Sequence, residues 1–178
     1  YKLVALLRIT IAKLIQNDFS VTQLININKT NALINQGATN FITDKKLKKY
    51  VYTYSKFITS LYPLLDKDNS HSDTKKIPHF GESHCLSFAH QTISLSSKVK
   101  VIQPVLITGA KAWHFANNKN NQWKSSFNKQ IKNHNYSDEV FISFGEIDCR
   151  KVEGILIYAI KQNKNISEVC KKTIKGYI

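Results

Sequence analysis

Three short apolar runs in this chain give way to glycine, and beside each glycine stand residues that could do chemistry. Ile77-Pro78-His79-Phe80 is followed by Gly81-Glu82-Ser83-His84. A serine at such a strand-to-helix turn would hold its hydroxyl at a sheet edge, and its N–H, at a helix start, would suit an oxyanion. The same serine could instead serve as a plain helix N-cap. The string lacks the second glycine of a G-x-S-x-G elbow, which disfavours an ordinary α/β-hydrolase. Gly109 closes the run Val99–Thr108; there a glycine either brings its N–H close to a substrate or simply makes a turn. Gly145-Glu146-Ile147-Asp148-Cys149-Arg150 closes Val140–Phe144. Two carboxylates and an arginine beside an apolar strand are costly unless paired or used. An Asp148–Arg150 or Glu146–Arg150 ion pair is the structural alternative.

The histidines divide by context. His114, within Trp113-His114-Phe115, could reach the strand ends and touch a substrate, although a packed or surface imidazole is the simpler reading. His84 neighbours Ser83, and adjacent residues at a helix start rarely face each other. His90 reads as structural, while His71, His79 and His134 have no evident partner. Trp113, Trp123 and Phe127 flank an Asn- and Lys-rich segment that would either hold a sugar or pack loop rings onto a sheet.

Cys85, Cys149 and Cys170 form an odd set without a C-x-x-C pair. Neither a zinc site nor a disulfide framework is expected from that spacing, and no cofactor is called for. Reduced, mostly buried thiols favour a cytoplasmic setting. The charge is strongly positive, with 26 Lys+Arg against 12 Asp+Glu. Only Arg8 and Arg150 are arginines, and nucleic-acid readers prefer the guanidinium fork. Nucleic acid is therefore not an expected partner; solvated lysine faces explain the charge.

The elements that must position these groups fall into two parts. Leu3, Leu6, Leu7, Ile11, Leu14 and Ile15 share a helical face. Ser20-Val21-Thr22-Gln23 has capping-box form and opens a second helix with Val21, Leu24 and Ile25 on its apolar side, stopped near Gly37. A third helix, starting at Thr43, carries Leu47, Tyr50, Val51, Tyr54, Phe57, Ile58 and Leu61 on one stripe. Residues 1–65 thus read as a helical segment resembling the end of a repeat array, and 66–76 as a polar linker. From 77 to 178 strands alternate with helices at Cys85–Leu95, within Asn117–His134, at Val152–Ile160 and from Ser167. That alternation predicts an α/β fold with a parallel sheet. No run of about 18 apolar residues is present to span a membrane. The chain opens at Tyr1 inside an apolar pattern and has no methionine, so it reads as a piece of a longer protein.

Together, Phe80-Gly81-Glu82-Ser83-His84, Thr108-Gly109 and Phe144-Gly145-Glu146-Ile147-Asp148-Cys149-Arg150 resemble the SGNH (GDSL-like) hydrolase family, in a branch whose third block reads G-E-I-D-C-R. The resemblance covers about residues 76–178. It implies a flavodoxin-like three-layer α/β/α sandwich, here truncated, and a serine esterase or acyltransferase acting on an ester; the sugar-holding reading of Trp113, Trp123 and Phe127 adds an acylated carbohydrate as the substrate class. Ser83 would be the nucleophile, and the N–H groups of Ser83 and Gly109 part of the oxyanion hole. Glu82, His84, His114, Glu146, Asp148 and Arg150 would line the binding crevice. The sequence departs from the family at three points. Glu82 replaces the usual aspartate, and Ile147 stands where an asparagine donor is usual. No D-x-x-H follows Asp148 to supply acid and base, so the piece alone is expected to be inactive. The alternative is a non-catalytic SGNH-like module that binds a glycan or a protein.

Overall fold

A computed structural model describes residues 2–16, 21–64, 74–133 and 139–177. The chain divides into two compact units, Tyr1–Asp73 with Ala89–Gln91, and Thr74–Phe88 with Thr92–Ile178.

The first unit is helical: α1 (Lys2–Ile15), α2 (Val21–Asn35) and α3 (Lys45–Leu61). Leu3, Leu7, Ile11 and Leu14 of α1 meet Ile27 of α2 and Val51, Ile58 and Leu61 of α3 in one core. The expected α1 and α3 stripes therefore face inward. The expected α2 face is corrected, because Ile25 is exposed while Ile27 and Thr30 are buried. The Thr30 hydroxyl satisfies itself by donating to the Asn26 carbonyl at 2.8 Å. Ser20 lies outside the described residues, as do the side chains of Val21 and Leu24. The third helix starts at Lys45 rather than Thr43, since Asp44 is its cap. The Asp44 carboxylate accepts from the Lys46 and Leu47 N–H groups at 2.8 and 3.2 Å, which fills two orphan donors of the first turn. His90 is buried in this unit, with Nε2 2.6 Å from the Leu14 carbonyl oxygen.

The second unit is built on four strands, β1 (Lys76–Gly81), β2 (Thr92–Leu95), β3 (Lys98–Leu106) and β4 (Phe141–Ser143), in the order β2-β3-β1-β4. β1 runs parallel to both β3 and β4, and β2 is antiparallel to β3. The expected helix over Cys85–Leu95 is thus a correction. The chain makes a 3-10 turn at Ser83–Phe88 and then the hairpin β2–β3. Ser96 and Ser97 both adopt positive φ, 51° and 60°, as a two-residue hairpin turn requires. β-branched Thr92 and Ile93 suit the strand.

Two prolines inside strands are explained by where their missing N–H would point. Val101 donates to the Lys75 carbonyl and Ile107 to the Gly81 carbonyl, at 3.1 and 2.8 Å, so odd residues of β3 and β1 face each other. Pro104 therefore turns toward β2, but beyond the stretch 98–101 that β2 pairs. Pro78 turns toward β4, whose pairing starts only at His79. Neither proline costs the ladder a bond.

Helices α4 (Ala112–Ala116), α5 (Gln122–Asn133), α6 (Ile155–Lys161) and α7 (Ile166–Tyr177) complete the unit. An aromatic cluster ties three of them to the sheet. Phe80 lies 5.0 Å from Phe127 of α5, Phe115 of α4 4.6 Å from Phe144, and Tyr177 of α7 6.3 Å from Phe115. The helix expected over Val152–Ile160 begins only at Ile155, and the strand expected over Val140–Phe144 is confined to Phe141–Ser143. Among the described residues no helix is long and apolar enough to cross a membrane.

At Gly81, which pairs with Ser143, β1 has no room for a side chain. A Cβ there would lie 2.6 Å from Ser143 Oγ, 2.8 Å from Cys85 Cβ and 2.9 Å from the Ser143 carbonyl oxygen. Gly81→Ala should therefore cost about 1–3 kcal/mol through overpacking. Urea unfolding followed by the fluorescence of Trp113 and Trp123, both in this unit, measures it; an unchanged midpoint would refute the crowding.

Candidate functional site

Strand register brings the three sequence motifs to one sheet edge. Gly81, the last residue of β1, pairs with Leu106 at the end of β3 and Ser143 at the end of β4. The turns carrying Ser83, Gly109 and Glu146 thus leave the sheet side by side. The central strand also comes first in the chain, and its parallel neighbours lie on either side. In open α/β sheets that reversal of strand order opens a crevice at the carboxyl ends.

Ser83 starts the 3-10 turn and is half-buried. Its hydroxyl makes no hydrogen bond to any described residue, and so does not cap the turn. The N–H groups of Ser83 and Gly109 donate to no turn or loop carbonyl among the described residues. Gly109 has φ 69°, a left-handed conformation natural to glycine.

Glu82 is buried, and its carboxylate is turned toward the third motif. Burial raises its pKa. The neighbouring His84 lowers it, the Glu146 charge adds to the rise, and the Gly145 and Glu146 N–H groups oppose it. His84 Nδ1 is 3.5 Å from Glu82 Oε1 and 3.8 Å from Glu146 Oε2. Of the two ion pairs open to Arg150, the one with Glu146 forms. Nε contacts both Glu146 oxygens at 3.0 Å and Nη2 reaches Oε2 at 2.6 Å. Nη1 donates to Glu153 at 3.0 Å. These bonds hold the Glu146 carboxyl below its ordinary pKa and raise that of Arg150.

Asp148 does other work. Its Oδ2 accepts from the Ala112 N–H at 2.7 Å, satisfying a donor at the start of α4. Burial raises its pKa, against the Ala112 and Trp113 N–H groups and Lys111. Ile147 of the third motif, which offers no side-chain donor, is buried.

His114 is packed. Its ring stacks on Trp123 at 3.5 Å with planes 6° apart, and Nδ1 accepts from the Lys111 N–H at 3.1 Å. Trp123 Nε1 donates to the Thr108 carbonyl at 3.3 Å, so this stack borders the second strand end. Trp113 lies against Tyr158, and Phe127 belongs to the aromatic cluster. His71 and His134 lie outside the described residues.

The sequence left His79 without a partner; the fold supplies Ser143, with Nε2 2.7 Å from Oγ. Only the β1–β4 register reveals that pair, since 64 residues separate them. The thiols also need correction. Cys85 is buried, its pKa pushed up to about 12 by burial and then by the Glu82 charge, but Cys149 is exposed and Cys170 half-buried. Burial tracks the elements: Cys85 faces β1, whereas Cys149 ends the 3-10 turn Ile147–Cys149 within the third motif. Among the described residues, Glu82, His84 and Glu146 form the one cluster whose donor atoms could share a metal ion.

Comparison of the chain with protein-family models, with curated proteins and with solved structures finds no match.

The half-buried His114 ring gives a pH signature. Desolvation first, then Lys111, lowers its pKa from 6.5 to about 4. Between those values the unfolded chain binds a proton that the folded unit does not, so stability should fall as pH drops through that window. His79, also lowered by burial, acts in the same direction. Urea midpoints at a series of pH values should fall more steeply for the wild type than for His114→Gln; equal slopes would refute the assignment.

Proposed function

We propose that the second unit is an SGNH-like domain of flavodoxin-like architecture, and that it serves acyl-ester chemistry with Ser83 as nucleophile. The register of Gly81 with Leu106 and Ser143 carries this reading, because it gathers Ser83, Gly109 and the Glu146 turn at one strand edge. The parallel part of the sheet, with β1 between β3 and β4, fits the flavodoxin-like pattern.

In the proposed reaction the Ser83 oxygen bonds to the ester carbonyl carbon and its proton passes to a base. The carbonyl electrons move onto oxygen, beside the N–H groups of Ser83 and Gly109. Collapse expels the alkoxide, which takes a proton, and leaves an acyl-enzyme that water or an acceptor hydroxyl then cleaves. No described histidine is hydrogen-bonded to Ser83. A missing side-chain donor at Ile147 would cost about 2.7–4 kcal/mol of transition-state stabilisation relative to a three-donor hole. An acylated carbohydrate remains the substrate class proposed, with Trp113 and Trp123 as the tryptophans that follow the second motif.

A second reading, a non-catalytic module that binds a glycan or a protein, is favoured by one observation. The third motif is already occupied: Asp148 caps α4, Arg150 holds Glu146, and Ile147 is core. Fluorophosphonate labelling of the full-length protein separates the two. Covalent labelling lost in Ser83→Ala is the expected result for the nucleophile. Equal labelling of both forms, or none of the wild type, would transfer support to the binding module.

A further inference from the structure

The cluster of Glu82, His84 and Glu146 has ligand spacing. All three donor atoms lie within 4.8 Å of one another, and the two imidazole–carboxylate distances are 3.5 and 3.8 Å. Donors bound to one ion at about 2.1 Å and separated by about 110–130° stand about 3.4–3.8 Å apart. The two imidazole–carboxylate distances match that range, and the two carboxylates, within 4.8 Å of each other, need close by no more than about 1 Å.

Two further observations set the cluster apart from ordinary surface acids. The Glu82 side chain is only 2% exposed, and its Oε2 has no hydrogen-bond partner among the described residues. A buried carboxylate oxygen left bare is expensive, and a cation is the partner that best offsets it. The surrounding permanent charges also fall short. Glu82, Glu146 and Glu153 are three carboxylates, while Arg150 and Lys111 are the two permanent cations paired within the group. Arg150 is not a competitor that must leave. Metal-binding carboxylates are commonly hydrogen-bonded by outer-shell groups that orient them, and Arg150 holds Glu146 in that manner.

We propose that Glu82, His84 and Glu146 bind one divalent transition-metal ion, of the zinc or manganese kind, at the strand ends. One nitrogen and two oxygen donors suit such an ion, and three protein ligands leave a position open for water or a substrate oxygen. Glu82 and His84 flank Ser83 in sequence. An ion there would be a Lewis acid available to a developing oxyanion, the role for which Ile147 offers no side chain. The site does not depend on Ser83 being a nucleophile, so loss of labelling and loss of metal are separate results.

Titration calorimetry of the chelator-treated protein with Zn²⁺ and with Mn²⁺ tests the site. The expected result is saturable binding of one equivalent of at least one of these ions. His84→Ala and Glu146→Gln should each weaken it roughly tenfold or more. Both side chains are substantially exposed, at 52% and 42%, so circular dichroism should show both variants folded. Cys149→Ser, which removes the exposed thiol, should leave binding unchanged. Absence of one-equivalent binding for both ions, affinity unaltered in His84→Ala, or loss of binding in Cys149→Ser would overturn the proposal.

Discussion

The second unit depends on the close approach of two strands across a residue with no side chain. Gly81 leaves room for the Ser143 backbone and hydroxyl on one flank and for Cys85 on the other. That approach fixes the β1–β4 register, and the register decides which turns share an edge. It also lets His79 reach Ser143, so a buried imidazole two residues earlier finds a partner through the same contact. A methyl group at this point would disturb the sheet and the crevice together.

Around that edge the polar groups form a graded series. Glu82 is buried and disfavoured as an anion, while Glu146, more exposed and gripped by Arg150, is stabilised as one. His84 lies between them. Two carboxylates close together in unlike environments are a common arrangement at functional sites, because desolvation and pairing push their proton affinities apart. Asp148, two residues beyond Glu146, is drawn off into holding α4. The motif that looked uniform in sequence thus divides its acids between a site and a scaffold.

The helical stripes of the first unit and the existence of three parallel strands were legible because burial imposes a period on apolar residues. Leu3, Leu7, Ile11 and Leu14 could sit on one face only as a helix. Errors fell where local pattern and tertiary demand competed. Cys85–Leu95 has enough apolar residues for a helix, yet Thr92–Leu95 gains more by pairing with Lys98–Val101 through a two-serine turn. Ile25 looked inward by type but faces solvent, because Ile27 occupies the core position on that helix.

What the chain determined unaided was where structure changes: apolar periodicity, glycine at the strand ends and polar groups just past them are local properties, set by backbone freedom and water. Which of those groups meet was decided by tertiary structure alone. Arg150 choosing Glu146 over Asp148 follows from a turn whose other acid is drawn off to α4, while His79 finding Ser143, and Glu82 and His84 coming beside Glu146, depend on distances between strand ends far apart in sequence. A pairing energy acts only at a few ångströms, and the spacing of residues along a chain carries no information about that distance until the sheet is assembled.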